Sequence, residues 1–138
     1  MDALPERAGS WRRLFTVEEA NAALPALIPL LKELRGTKAA WDEARVALER
    51  LTPAMRGNGH GADAALLEGQ LQRLARAIGD GVREIRERGV EIKDIDHGLI
   101  DFPCLRGETV VFLCWHLGEE AIAYWHEVDA GFAGRQPL

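Results

Sequence analysis

The chain is short of the groups that most enzymes use as nucleophiles. Its 138 residues contain one serine, Ser10, and two cysteines, Cys104 and Cys114. No nucleophile motif surrounds any of them, and two thiols are too few for a disulfide framework. No basic-then-apolar leader opens the sequence, so the expected compartment is the cytoplasm. Long apolar runs are also missing: the longest, Ala22 to Leu31, is ten residues and includes Pro25 and Pro29. That is about half of what a membrane-spanning helix needs, which excludes a span there. Phosphate loops and spaced metal signatures are absent as well.

What is present is one domain's worth of an ordinary globular mixture, 47% apolar and 28% charged, which excludes disordered and collagen-like classes. The net charge of −5 is unevenly placed. Residues 1–88 carry 14 Lys/Arg against 13 Asp/Glu, whereas residues 89–138 carry 3 against 9. The acid excess therefore belongs to the last third, together with both cysteines, His97, His116, His126 and the only tyrosine, Tyr124. Basic residues of the first part alternate with acids rather than forming a stripe, so no nucleic-acid partner is expected.

Local signals predict an α+β fold. Residues 1–14 read as a flexible start, with order beginning near Trp11. Residues 15–138 then form one domain, divided into a helical hairpin (15–88), a β region (89–128) and a C-terminal wrap (129–138). Thr16 and Glu19 form a capping box that starts a helix at Val17. The stripe Val17, Ala20, Leu24, Leu27, Leu31 and Leu34 recurs at 3/4 spacing, as an amphipathic helix requires. Pro25 and Pro29 interrupt it. A proline inside a helix costs about 3 kcal/mol, so the expected outcome is a short helix ending near Leu24 and a second restarting by Pro29, with a kink as the milder alternative. Trp41, Ala44, Leu48 and Leu51 continue the stripe until Thr52-Pro53 stops it. A glycine-rich connector from Met55, carrying His60, leads to another helix capped by Asp63 and ended by Gly89. Its stripe is Leu67, Leu71, Leu74, Ile78, Val82 and Ile85; Gly69, Gly79 and Gly81 weaken it or admit a close neighbour.

Beyond Gly89 the apolar period shortens to two, which predicts a small antiparallel meander of three or four strands packed against the hairpin. Gly118 suits a two-residue type II′ turn between the last two strands. That turn places Trp115 opposite Ile122, Leu113 opposite Tyr124 and Val111 opposite His126 on the helix-facing side. Phe112, Cys114, His116, Ala123, Trp125 and Glu127 then share the other face. A three-residue turn would instead put Cys114, His116 and His126 together.

The candidate chemistry lies in Asp94, Asp96, His97, Asp101, Cys104, Cys114, His116, His126 and Glu127. Imidazole, carboxylate and thiolate are the ligand types of zinc or another divalent transition metal. His126, Asp101, Cys114 and Glu127 form the candidate metal set. The segment from Asp94 to Gly98 is read most simply as a turn. Asp101 sits within the apolar run from Leu99 to Phe102 and needs a partner if buried; Arg135, Lys93 and His126 are the candidates.

Three stretches, FTVEEANAALPALIPLL, GVEIKDIDHGLIDFP and VFLCWHLGEEAIAYWHEVDAGFAGRQPL, resemble the bacterial domain-of-unknown-function family numbered 2203, from Phe15 to Leu138. The resemblance implies a set of positions rather than a role: Asp94, Gly98, Asp101, Phe102, Pro103, Cys114, Trp115, Glu119, Trp125, His126, Gly131, Phe132, Gly134 and Arg135. Some members carry a division-protein-like label that rests on helical composition. At position 116, where the family often has a basic residue, this chain has His116.

These readings leave three functions. The first is a homo-oligomeric interaction module that self-associates or binds a protein through Phe112 and Trp125. Another is a metal- or small-ligand-binding domain using Asp101, His126 and Arg135. The third is a weak hydrolase or transferase with His126 as general base and Arg135 as anion anchor.

Overall fold

A computed structural model describes residues 11–51 and 61–138. Residues 1–10 of the expected flexible start, the expected stop at Thr52-Pro53, and most of the expected glycine-rich connector with His60 lie outside the described residues.

The Thr16/Glu19 capping box forms as expected, with both reciprocal hydrogen bonds in place. It opens α1, Val17–Glu49, which runs unbroken for 33 residues, about 50 Å at 1.5 Å per residue. The expected break between Leu24 and Pro29 does not occur. Pro25 and Pro29 are both exposed and four residues apart, so the carbonyls they leave without helical partners, those of Asn21 and Pro25, face the solvent side, where water can satisfy them. The second helix, α2 (Gly61–Glu87), begins before Asp63, which sits in its first turn rather than capping it. Gly89 ends it in the left-handed conformation, φ +87°, with its N–H donating to the Arg86 carbonyl at 2.8 Å. Of Gly69, Gly79 and Gly81 in α2, Gly81 is the one at a close approach: a Cβ there would lie 3.1 Å from Leu34 Cδ1.

Five strands follow in an antiparallel meander with spatial order β1-β2-β3-β4-β5. They are β1 (Glu91–Asp94), β2 (Leu99–Arg106), β3 (Thr109–His116), β4 (Tyr124–Glu127) and β5 (Gln136–Pro137). The fold class is thus α+β, with five strands rather than three or four. The additional strand comes from the C-terminal wrap, whose end pairs with β4 and whose Leu138 N–H donates to the Ala123 carbonyl. Pro137 is tolerated because β5 is an edge strand.

One sheet face packs on the helices. Ile100, Phe102, Leu113 and Trp115 join Leu24, Leu27, Leu31, Leu34 and Ile85 in a single core with Phe15, Val90 and Ile122. Residues 11–14, expected to be flexible, are partly engaged: Trp11 meets the Phe112 ring edge-on at 5.3 Å on the opposite sheet face.

The last hairpin differs from expectation. A two-residue turn led by a positive-φ glycine does occur, but at Gly107-Glu108 between β2 and β3. Gly118 instead belongs to a seven-residue connection, 117–123. Leu113 pairs with Trp125 and Phe112 with His126, a register one residue removed from the two-residue-turn model. Since side chains alternate along a strand, β4 is turned over. Trp125 joins the helix side; Tyr124 and His126 join Phe112, Cys114 and His116.

Candidate metal centre

Two register pairs build the centre. Asp101 lies opposite Cys114, and Phe112 opposite His126, so Asp101, Cys114 and His126 come from three adjacent strands on one face. Each is 1% exposed. One ligand atom from each, an Asp101 oxygen, Cys114 Sγ and a His126 nitrogen, lie within 4.8 Å of one another. Among the described residues this is the one such group of three or more.

The hydrogen bonds fix the proton arrangement. His126 Nδ1 is 2.7 Å from the Glu127 carbonyl oxygen. A carbonyl only accepts, so Nδ1 carries the proton and donates. His126 Nε2 is 3.0 Å from Asp101 Oδ2, and one shared proton completes that contact whichever group holds it. Asp101 Oδ1 is buried without a hydrogen-bond partner among the described residues. Burial pushes the Asp101 carboxyl up from its ordinary value of 3.8, with His126 opposing the shift. Burial first, then the charge of Asp101, pushes the Cys114 thiol up to about 12, against the pull of Arg135.

Of the candidate partners for Asp101, His126 is the one that pairs with it directly. Lys93 acts on it by charge and sits 4.8 Å from the Phe112 ring. Arg135 does not join the carboxylate. Its Nη2 donates to Glu119 Oε1 at 2.6 Å and to the Cys114 carbonyl at 3.1 Å, and its guanidinium lies over the Tyr124 and Phe132 rings. Glu127 is exposed and supplies only its backbone carbonyl, because the reversal of β4 sends its side chain to the other face. Phe112 and Trp125, expected to share an exposed face, lie on opposite faces, and Phe112 is 2% exposed. The general-base reading loses its geometry too: both His126 nitrogens are engaged and buried, and Arg135 is held by Glu119.

Next along the same face is a pocket of about 300 Å³ lined by Asp94, His97, Leu99, His116 and Phe132. Asp94 to Gly98 forms the expected turn, with Gly98 at φ +61°. His97 Nδ1 donates to Asp94 Oδ2 at 2.9 Å; this contact holds the Asp94 carboxyl below its ordinary value.

Glu119 and Asn21 were not singled out as partners by sequence reasoning. Glu119 accepts from the His116 N–H as well as from Arg135. Asn21 Oδ1 accepts from the Ile122 N–H at 2.9 Å, across 101 residues of sequence. No local pattern marks a bond of that separation.

A family model described as an uncharacterized conserved protein, DUF2203, matches residues 13–138, and the chain belongs to that family. No curated protein and no solved structure matches it. Among the described residues, no helix is long and apolar enough to cross a membrane.

Proposed function

We propose that this member of the DUF2203 family is a metal-binding domain that holds one divalent transition ion, of zinc type, between Asp101, Cys114 and His126. The observation that carries the reading is the His126 ring. Its Nδ1–H is anchored on a backbone carbonyl at 2.7 Å, so Nε2 is aimed at the carboxylate and thiol. Metal-ligating histidines are oriented in this way, by a hydrogen bond from the nitrogen that does not bind the ion.

The donor set suits the ion. Bond lengths of about 2.0–2.3 Å put ligands of one tetrahedral zinc about 3.3–3.8 Å apart, so a set within 4.8 Å closes by roughly an ångström. The unpartnered Asp101 Oδ1 gains a partner, which removes the cost of an unsatisfied buried oxygen. Charge also balances. One shared proton on Asp101/His126 and one on the thiol make the empty cluster neutral. A divalent ion that displaces both leaves it neutral again, so burial favours charge two over one or three. Three protein ligands leave a fourth position for water or an added ligand.

The test is elemental analysis of untagged protein, loaded with zinc and freed of excess. About one equivalent should remain in the parent and a small fraction of that in Asp101→Asn, which removes one of the two anionic ligands. Parent protein that retains less than about a tenth of an equivalent would end the reading.

A further inference from the structure

An ion cannot coordinate at a centre whose three ligands are each 1% exposed unless the fold supplies a way in, and two of the flanks of this one are unsuited to a cation. On the β1 side stand Lys93 and the apolar rings of Phe112 and Trp11. On the Cys114 side the guanidinium of Arg135 is bonded to the Cys114 carbonyl, with Glu119 as its counter-charge. Both flanks are filled by side chains already engaged: Lys93 lies over the Phe112 ring and pairs with Glu91 at 3.6 Å, and Arg135 is tied to the Cys114 carbonyl and to Glu119.

The remaining flank is of the other kind. Leu99 lies opposite His116, the next same-face pair after Asp101 and Cys114, about 7 Å further along the strands at 3.4 Å per residue. That pair floors the pocket of about 300 Å³, whose other walls are Asp94, His97 and Phe132. The titratable groups that line it are one carboxylate and two imidazoles; the Arg135 guanidinium, 4.6 Å from the Phe132 ring, is paired with one oxygen of Glu119, whose other oxygen lies 3.8 Å from His116 Nε2.

Both imidazoles are held as His126 is. His97 Nδ1 donates to Asp94 Oδ2 at 2.9 Å, and His116 Nδ1 to the Leu117 carbonyl at 2.8 Å. Each ring is therefore oriented through Nδ1 and keeps Nε2 as its coordinating nitrogen. His97 is the outer of the two, with its side chain 77% exposed, and His116 the inner, at 34%. The pocket thus grades from an exposed imidazole, through a half-buried one, toward the buried Cys114 two residues along β3.

We propose that a divalent transition ion enters through this pocket, with His97 and His116 as its capture ligands before it passes to Asp101, Cys114 and His126. The inference rests on the metal-binding reading above and adds the route. Imidazole selects ions such as Zn²⁺, Co²⁺ and Ni²⁺ over the oxygen-seeking Mg²⁺ and Ca²⁺, so the pocket filters as well as collects. Phe132, on a 3-10 turn (Phe132–Gly134) and half exposed, is the wall that an entering ion passes; it leans on His116 at 6.1 Å.

The full-length protein mixed with Co²⁺ tests this, because a cobalt–thiolate charge-transfer band reports arrival at Cys114 and nowhere else in the proposed path. The His97→Ala/His116→Ala protein should develop that band about tenfold more slowly than the parent at sub-saturating Co²⁺ and reach the same final amplitude. His97→Ala alone, at a site exposed enough to leave the fold unchanged, should show a smaller slowing in the same direction. Equal rates in parent and variants overturn the route and leave the centre standing. A band lost or shifted in the double variant also overturns it, since the histidines would then be ligands of the final site. No band in the parent overturns the centre and the route together.

Discussion

His126 Nε2 lies 3.0 Å from Asp101 Oδ2 while the opposite nitrogen of the same ring donates to the Glu127 carbonyl. The two contacts together make Asp101 and His126 a pair that shares one proton in a site closed to water. Removing either partner leaves the other buried and unmatched, which costs about 3–5 kcal/mol for a buried charged pair. Asp101→Ala should therefore lower unfolding free energy by about 3 kcal/mol in denaturant titration. Asp101→Asn can still donate to an unprotonated Nε2, so it should lose about 1 kcal/mol or less. Equal losses in the two variants would show that the shared proton does not bind the strands together.

The same pair gives a pH dependence with a defined sign. Burial raises the Asp101 carboxyl above its ordinary 3.8, so the folded protein binds this proton more tightly than the unfolded chain does. The contribution is fully present below about pH 3.8 and is lost as pH rises through the raised value. Asp101→Asn has no such proton. Melting temperatures of the two proteins, compared from pH 4 upward, should shift steadily in favour of the variant; a gap that is constant or moves the other way contradicts the assignment.

Thiol chemistry offers a third check. Cys114 is 1% exposed and its thiol is pushed up to about 12, chiefly by burial, so little thiolate is present near neutrality. A disulfide reagent at pH 8 should leave Cys114 unmodified in the native protein and modify it only in denaturant. Cys104, half-buried with its thiol also raised, should react slowly but first. Peptide mapping separates the two, and native modification of Cys114 ahead of Cys104 would contradict the closed site.

The continuity of α1 is testable through its prolines. Pro25 and Pro29 are exposed and each removes one backbone hydrogen bond, so Pro25→Ala and Pro29→Ala should each raise stability. A proline in a helix interior costs about 3 kcal/mol against alanine, reduced by the roughly 1 kcal/mol that proline's stiffer unfolded chain returns. A gain of about 1–2 kcal/mol per site is expected. No gain would mean that the freed carbonyls are well served where they are.

How much of this was legible in the sequence follows from the range of each interaction. The Thr16/Glu19 box and the Gly89 terminus involve groups three residues apart, and they are where the sequence places them. The α1 break failed because the cost of a proline depends on whether its orphaned carbonyl faces water, and exposure is a tertiary fact. The β4 face failed for a related reason. Gly107-Glu108 and Gly118-Glu119 are the same dipeptide, yet only the first makes a tight turn. Around the second, the Trp115 indole donates to the Glu119 carbonyl, the His116 N–H to the Glu119 carboxylate, and the Ile122 N–H to Asn21, and the chain is drawn out into the longer connection. Asp101 and His126 could be named as candidates from their residue types alone. That they meet each other depended on the register, while Arg135 could not be assigned to Glu119 without it.

The lengths of the two layers carry a last consequence. The longest strands have eight residues, about 27 Å, against about 50 Å for α1. Residues of α1 in the shared core stop at Leu34, and past it the helix buries only Ala44, with Ala64 the matching small residue in α2. Lys38 still pairs with Asp96 in the β1–β2 turn at 3.3 Å; beyond it the far end of the hairpin is a cantilever, fixed at one end. Substitutions along it should alter the molecule's hydrodynamic length or its melting profile while the spectrum of a metal-loaded centre stays the same, so the protein can vary one end without retuning the other.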